Sequence, residues 1–310
     1  MQARTRFIGV LLSLVVLLVG TSSVFAQVQL TDCMECHNDT TVITDKQTAM
    51  SESMHGTGES YGRGTRNSCA GCHSGGAFSK MAAAGLRPDQ VEEGDPNPTR
   101  QDCRACHQIH TSYTTADWAL ETVDPVTLYA FEGVTYDGGK GNLCANCHQP
   151  RRAIAAPDAD GNIAVTSTHW GPHHGPQSAM LLGVGGASAA GDASLHGTFV
   201  ADGCVTCHVG ENDSHTFEAV DASCLECHAE DFDTEGFQDE IQELIDQLGE
   251  LLVAKGLLDE EGHPVVGTYP AAEASALWDY IFIVIEDGSR GVHNPAYTRD
   301  LLEAAIAALQ

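Results

Sequence analysis

Cysteine occurs in this chain in one context only. The twelve cysteines form six C-x-x-C-H units: CMECH (Cys33, Cys36, His37), CAGCH (Cys69, Cys72, His73), CRACH (Cys103, Cys106, His107), CANCH (Cys144, Cys147, His148), CVTCH (Cys204, Cys207, His208) and CLECH (Cys224, Cys227, His228). No cysteine is left over. Whatever the chain folds around must therefore take two thiols and one imidazole from five consecutive residues, six times. Six disulfides would suit an exported protein, and pairs of C-x-x-C could build four-thiolate zinc sites. Neither requires a histidine directly after every pair.

That histidine points to covalent haem attachment, for which C-x-x-C-H is the signature. The two thiols add to the two porphyrin vinyl groups as thioethers. The short loop then brings the next imidazole against the iron as the proximal ligand. On these motifs the chain resembles the bacterial and archaeal multihaem c-type cytochromes, over most of the sequence that follows residue 26. The expected cofactors are six haems c, with His37, His73, His107, His148, His208 and His228 as proximal ligands.

Nine further histidines remain: His55, His110, His169, His173, His174, His196, His215, His263 and His293. A haem that only carries electrons is six-coordinate, so six distal ligands are wanted. Methionine is the alternative distal ligand, but five methionines remain beyond the N-terminal segment and Met34 lies inside a motif. Bis-histidine ligation is therefore the expectation. His55 in SMHGTG and His196 in SLHGTF share a frame in which the glycine allows close backbone approach. Similar His-Gly loops supply distal ligands in related cytochromes. Related chains also use C-x-x-C-H-x-x-H, the context of His110, to serve two adjacent haems from one turn of helix. His215 lies between the fifth and sixth motifs, and His293 directly precedes a helix start. The stretch STHWGPHHGPQ (residues 167–177) holds three histidines for the remaining position. Its resemblance to a G-P-H-H-x-P-Q element favours His173, with His169 and His174 behind it. His263, in the turn EGHPV, reads as an ordinary loop residue.

Residues 1–26 read as a secretory signal. Arg4 and Arg6 precede the apolar run FIGVLLSLVVLLVG, and TSSVFA ends in a small-x-small cleavage pattern after Ala26. The run falls short of the ~20 residues of a spanning helix, and no later run is long enough. The expected product is exported, periplasmic or extracellular, without a membrane span. Losing two arginines and no acid takes the formal net charge from −28 to −30. Such a surface repels nucleic acid and favours basic redox partners through steering.

The haem region is expected over residues 27–228. Steps between successive motifs of 36, 34, 41, 60 and 20 residues give no solenoid period. The linkers EEGDPNPTRQD, TYDGGKGN and PDADGNI read as loops. With so little polypeptide per cofactor, this core should be largely porphyrin, with short helices at the motifs and much coil. Residues 229–310 carry no cysteine and predict three helices. Ile241, Leu244, Ile245, Leu248, Leu251 and Leu252 follow helical spacing and stop at Lys255-Gly256. A second helix opens at Pro270, presents Leu277, Trp278, Ile281, Phe282 and Ile285 on one face, and ends at Gly288. A third has Asn294 as N-cap and Pro295 at its first position, with Leu301, Leu302, Ala305, Ile306 and Leu309 inward. This C-terminal region resembles that of the pentahaem nitrite reductases and their relatives. The expected fold is mostly α with extensive coil: a haem-packed cytochrome region followed by a C-terminal three-helix region.

Six haems with both axial positions filled can pass electrons but bind no substrate at iron. The primary expectation is thus electron transfer rather than catalysis. It resembles the extracellular and periplasmic conduits of anaerobic respiration, including polymerised cytochrome filaments in which the chain would self-associate. The alternative is a multihaem reductase of nitrite, hydroxylamine or a sulfur oxyanion with one open haem. The nitrite reductases commonly mark that haem with C-x-x-C-K, and every motif here ends in histidine.

Overall fold

The computed structural model describes residues 34, 37, 41–173, 175–210, 213–219 and 221–310. The expected signal segment, Cys33, Cys36 and His174 lie outside them. The fold is mostly α with extensive coil. No helix among the described residues is long and apolar enough to cross a membrane.

Up to residue 228 the helices are short. They are α1 (Thr41–Glu52), α2 (Met54–Thr57), α3 (Asn67–His73), α4 (Gly75–Ala83), α5 (Cys103–Cys106), α6 (Asn142–Ala145), α7 (Gln177–Leu181), α8 (Leu195–Phe199) and α9 (Cys204–His208). Isolated helices this short are not stable in water, so something else must hold them. Part of the answer is side-chain capping. Ser53 Oγ accepts from Gly56 N ahead of His55, Ser194 Oγ accepts from His196 N, and the Asp102 carboxylate caps α5. The protein's own apolar core here is small. Phe78, Met81, Ala105 and Leu143 form one cluster, and Val126, Leu128, Tyr136, Ala145, Ala179 and Leu181 another. Beside them lies a cavity of about 1240 Å³, larger than the ~300–1,000 Å³ of ordinary ligand pockets.

Among the described residues the two sheets are minimal antiparallel pairs. β1 (Val126–Thr127) pairs with β2 (Thr135–Tyr136), and β3 (Asn162–Val165) pairs with β4 (Gly267–Pro270). The second pairing draws the C-terminal region onto the middle of the chain, with Asn162 opposite Pro270 and Val165 opposite Gly267.

The C-terminal helices are α10 (Thr234–Ala254), α11 (Ala271–Tyr280) and α12 (Pro295–Leu309). Their predicted apolar stripes meet: Ile241, Ile245, Leu248 and Leu252 pack with Leu277, Trp278 and Phe282 and with Leu301, Leu302 and Ala305. Gly256 takes the left-handed conformation expected after the end of α10 (φ +72). Asn294 accepts from Tyr297 N at the start of α12. One element departs from expectation. After Tyr280 the second helix continues as π-turns, Ile281–Asp287, before Gly288 (φ +68) stops it. The wider turn breaks the 3.6-residue stripe, and Ile285, expected inward, is half exposed.

The same core takes in Ile163, Val165, Trp170 and Met180, so the three helices do not pack alone. Trp170 meets Trp278 edge-on at 5.0 Å. Trp278 donates to Gly185 O, and the buried Asp279 accepts from Ala187 N and Ser188 N. Tyr297 Oη accepts from Gly186 N, while Asn294 Nδ2 donates to Met180 O and Asp192 O. The helices thus clamp the loop over residues 180–192, which leads directly to His196.

Candidate functional site: a paired histidine array

The motif histidines do not stand alone. His37 lies opposite His110, with ring centres 6.1 Å apart, and His73 opposite His173 at 6.2 Å. His107 faces His215 at 6.3 Å and His148 faces His55 at 6.1 Å. His208 faces His293 at 6.3 Å and His228 faces His196 at 6.1 Å. Each pair joins one motif histidine to one outside the motifs, and no histidine is used twice. A metal–imidazole bond is about 2.0–2.1 Å, so two imidazoles on opposite sides of one metal place their ring centres about 6 Å apart.

The other ring nitrogens are engaged elsewhere. Nδ1 contacts Trp118 O in His107 (2.7 Å), Gln177 Oε1 in His148 (3.0 Å) and Val292 O in His196 (2.6 Å). It contacts Phe217 O in His208 (2.8 Å), Asp213 O in His215 (2.8 Å) and Asp287 Oδ1 in His293 (2.7 Å). All six partners are acceptors, which puts the proton on Nδ1 and leaves Nε2 to coordinate. Burial also keeps several rings neutral, the form that binds a metal. It pushes His55 down to about 4, helped by His148, and lowers His148 and His215. His293 goes the other way: burial lowers it, but the charge and hydrogen bond of Asp287 raise it on balance.

The thiols are placed to match. The ten described cysteines are free, and the motifs' paired thiols lie on or beside short helical turns next to their histidines. The large cavity is lined by the described thiols and histidines of the second, third and fourth motifs, together with His55, His173 and His215. Neighbouring sites touch: Cys72 Sγ lies 3.9 Å from Asn146 O and Cys147 Sγ 4.0 Å from Gly71 O, each inside the other's motif, and Cys204 Sγ lies 3.8 Å from Gly141 O, just ahead of Cys144. Two thiols, an imidazole beside them and a second imidazole across an apolar cavity are the donor set of a c-type haem. Among the described residues no three or more His, Cys, Asp or Glu converge as a metal cluster.

Several local details differ from the sequence expectation. His110 is not on a helical turn with His107. Helix α5 ends at Cys106, His107 bridges to Leu120 in extended conformation, and His110 sits at φ +64. This reversal aims the two rings at different partners, His215 and His37. His55 and His196 lie on one-turn helices rather than in loops. The glycines after them make room for the chain's own backbone: a Cβ on Gly56 would lie 2.1 Å from Met50 O, and one on Gly197 would lie 3.0 Å from Leu181 O. His169 is exposed and His263 contacts Asp259, and neither lies opposite a motif histidine.

The C-terminal region reaches three of the pairs, a role its sequence did not signal beyond His293. Gln177, whose Oε1 meets His148, donates through Nε2 to Glu286 O and Asp287 O of the π-turn. Asp287 holds His293, and Val292 O holds His196.

No protein-family model matches the chain, and no curated protein matches it. Solved structures do. The outer cell wall cytochrome OcwA superposes with a TM-score of 0.54 at 22% identity, over 86% of this chain and 50% of that one. Over this span the chain shares the fold of that cytochrome. An undecaheme cytochrome from the S-layer of Carboxydothermus ferrireducens is also similar, with a TM-score of 0.46 and 21% identity over 85% of this chain and 39% of that one. The chain thus spans about half the length of OcwA and less of the undecaheme cytochrome.

Proposed function

We propose that the chain holds six haems c and carries electrons through them. Each haem is anchored by one C-x-x-C-H unit and gripped between that unit's histidine and one of His110, His173, His215, His55, His293 and His196, in motif order. The six-fold pairing carries this reading. Unrelated surface histidines have no reason to repeat a separation of 6.1–6.3 Å six times. Bound there, haem iron supplies one-electron chemistry. The chain's own residues fix the ring orientations, fill both axial positions and leave none for a substrate. This favours the carrier over the reductase, which needs a motif histidine with no second imidazole opposite.

The His37–His110 pair is the most exposed, whereas the rings of the other pairs are partly buried. It is the natural point of electron exchange with a partner. The strongly acidic chain favours basic redox proteins there. We place the protein outside the cytoplasm, periplasmic or extracellular, because thioether attachment and the expected signal segment both fit export. The resemblance to filament-forming cytochromes extends the proposal to self-association. Every distal histidine here comes from the same chain, so a filament would need no ligand shared between subunits. The C-terminal helices, with their resemblance to the pentahaem nitrite reductases, act as the clamp on the last three sites.

The test is the protein secreted from a host competent in haem attachment. The pyridine haemochrome should give six haems per chain, and EPR of the ferric protein should be entirely low-spin. A count other than six, or a high-spin ferric signal in native protein, overturns this reading. Electron microscopy of concentrated material decides the filament: dispersed monomers refute it.

A further inference from the structure

Of the six Nδ1 partners described above, five are neutral amide or peptide oxygens and one is a carboxylate. That one is Asp287 Oδ1, 2.7 Å from His293, and the Asp287 side chain is fully buried. The carboxylate is held independently of the histidine. Ser289 Oγ donates to Oδ2 at 2.6 Å and Ser289 N at 3.3 Å, so both oxygens are engaged and their position is set. The residue sits where the π-turns end, just before the left-handed Gly288. Such insertions are frequent at functional sites.

The structure assigns Asp287 a function through His293: it makes the iron held by His208 and His293 more reducing than those of the adjoining pairs, His55–His148 and His196–His228. This rests on the bis-histidine reading above and deepens it. The physical reason is twofold. An imidazole that donates its second N–H to a carboxylate becomes a more basic ligand, and a more basic ligand favours ferric over ferrous iron. The buried negative charge also acts directly, because a low-dielectric interior screens it weakly. The adjoining pairs lack this charge in their described contacts: His148 meets the Gln177 amide and His196 the Val292 carbonyl. Both are close by. Cys204 Sγ lies 3.8 Å from Gly141 O, at the start of the α6 turn that carries Cys144, and α9 packs against the 3₁₀ turn Asp221–Glu226 that carries Cys224. An electron crossing from the fourth site to the sixth by way of the fifth therefore climbs a thermodynamic step and descends again. Asp287 is a positioning and tuning residue, not a ligand.

The test compares two variants in the haem-loaded, full-length protein by spectroelectrochemical titration, with haem count and EPR recorded alongside. Asp287→Asn keeps an oxygen for the Nδ1–H but removes the charge. One of the six midpoints should rise by at least the equivalent of a tenfold change in the reduction equilibrium, about 59 mV. Ser289→Ala keeps the charge but removes a donor that draws it away from His293, so the same midpoint should fall. A loosened structure would move both variants the same way. Midpoints unchanged in either variant, or shifts of the same sign, overturn the assignment. If Asp287→Asn fails to load haem, the direction of the Ser289→Ala shift decides alone. The wild-type haem count and spin state report separately on the bis-histidine reading.

Discussion

Asn294→Ala should cost the protein far more than its place beside a helix start suggests. Asn294 is 3% exposed. Its Oδ1 accepts from Tyr297 N as the N-cap of α12, and its Nδ2 donates to Met180 O and Asp192 O. Alanine removes the cap, worth about 0.5–2 kcal/mol. It also removes two hydrogen bonds, each worth about 0.5–1.5 kcal/mol net. The expected loss is roughly 1.5–5 kcal/mol. Asn294→Ser can keep the cap but cannot reach both carbonyls, so it should recover only the first part. The assay is guanidinium unfolding of the haem-loaded protein followed by far-UV circular dichroism, reading the midpoint at unchanged slope. The consequence should extend beyond stability. Asn294 ties α12 to the loop ahead of His196 and directly follows His293, so a high-spin EPR signal should appear in the alanine variant before global unfolding. A loss below about 0.5 kcal/mol, the range of ordinary surface substitutions, would refute the view that the C-terminal helices clamp these sites.

Two further outcomes follow from the same geometry. His293→Ala should leave the haem count unchanged, because the thioethers remain, while one haem in six turns high-spin by EPR; a fully low-spin spectrum contradicts the pairing with His208. Asp279 gives a pH signature, because burial raises its pKa from 3.8 to about 6. The folded state then holds this proton more tightly than the unfolded state, so its contribution to stability is largest below pH 3.8 and is lost as pH rises to about 6. That rise corresponds to roughly 3 kcal/mol. Against wild type, Asp279→Asn should therefore gain that much in guanidinium midpoint energy between pH 4 and pH 7, and a pH-independent difference would contradict it.

Much of the chemistry is local and therefore legible. Two thiols and a histidine in five residues are a complete statement of intent, and so is a surplus of histidines beyond them. The C-terminal helices were readable for a similar reason. Amphipathic spacing, Gly256, Gly288 and the Asn294-Pro295 start are all signals within a few residues of their effect. The π-turns over Ile281–Asp287 left no such mark, because a wider turn is chosen by what packs around it rather than by propensity. The frame shared by His55 and His196 was visible, but its cause was not. Its serines cap one-turn helices, and its glycines clear the chain's own carbonyls.

By itself, then, the sequence determined which atoms are available: twelve thiols, the histidines beside them, a further set to choose from, and a surface dominated by acids. Only the tertiary structure decided which of these atoms meet. His55, early in the chain, faces His148 of the fourth motif. His110 turns back to the first motif, and His293 crosses from the C-terminal region to the fifth. Such partners depend on how long loops close around a shared cavity, and closing a loop depends only weakly on its length and hardly at all on local residue pattern. The carboxylate behind His293 has the same origin. Asp287 is one acid among 43 aspartates and glutamates in the sequence, and it becomes singular only where the fold buries it against an imidazole.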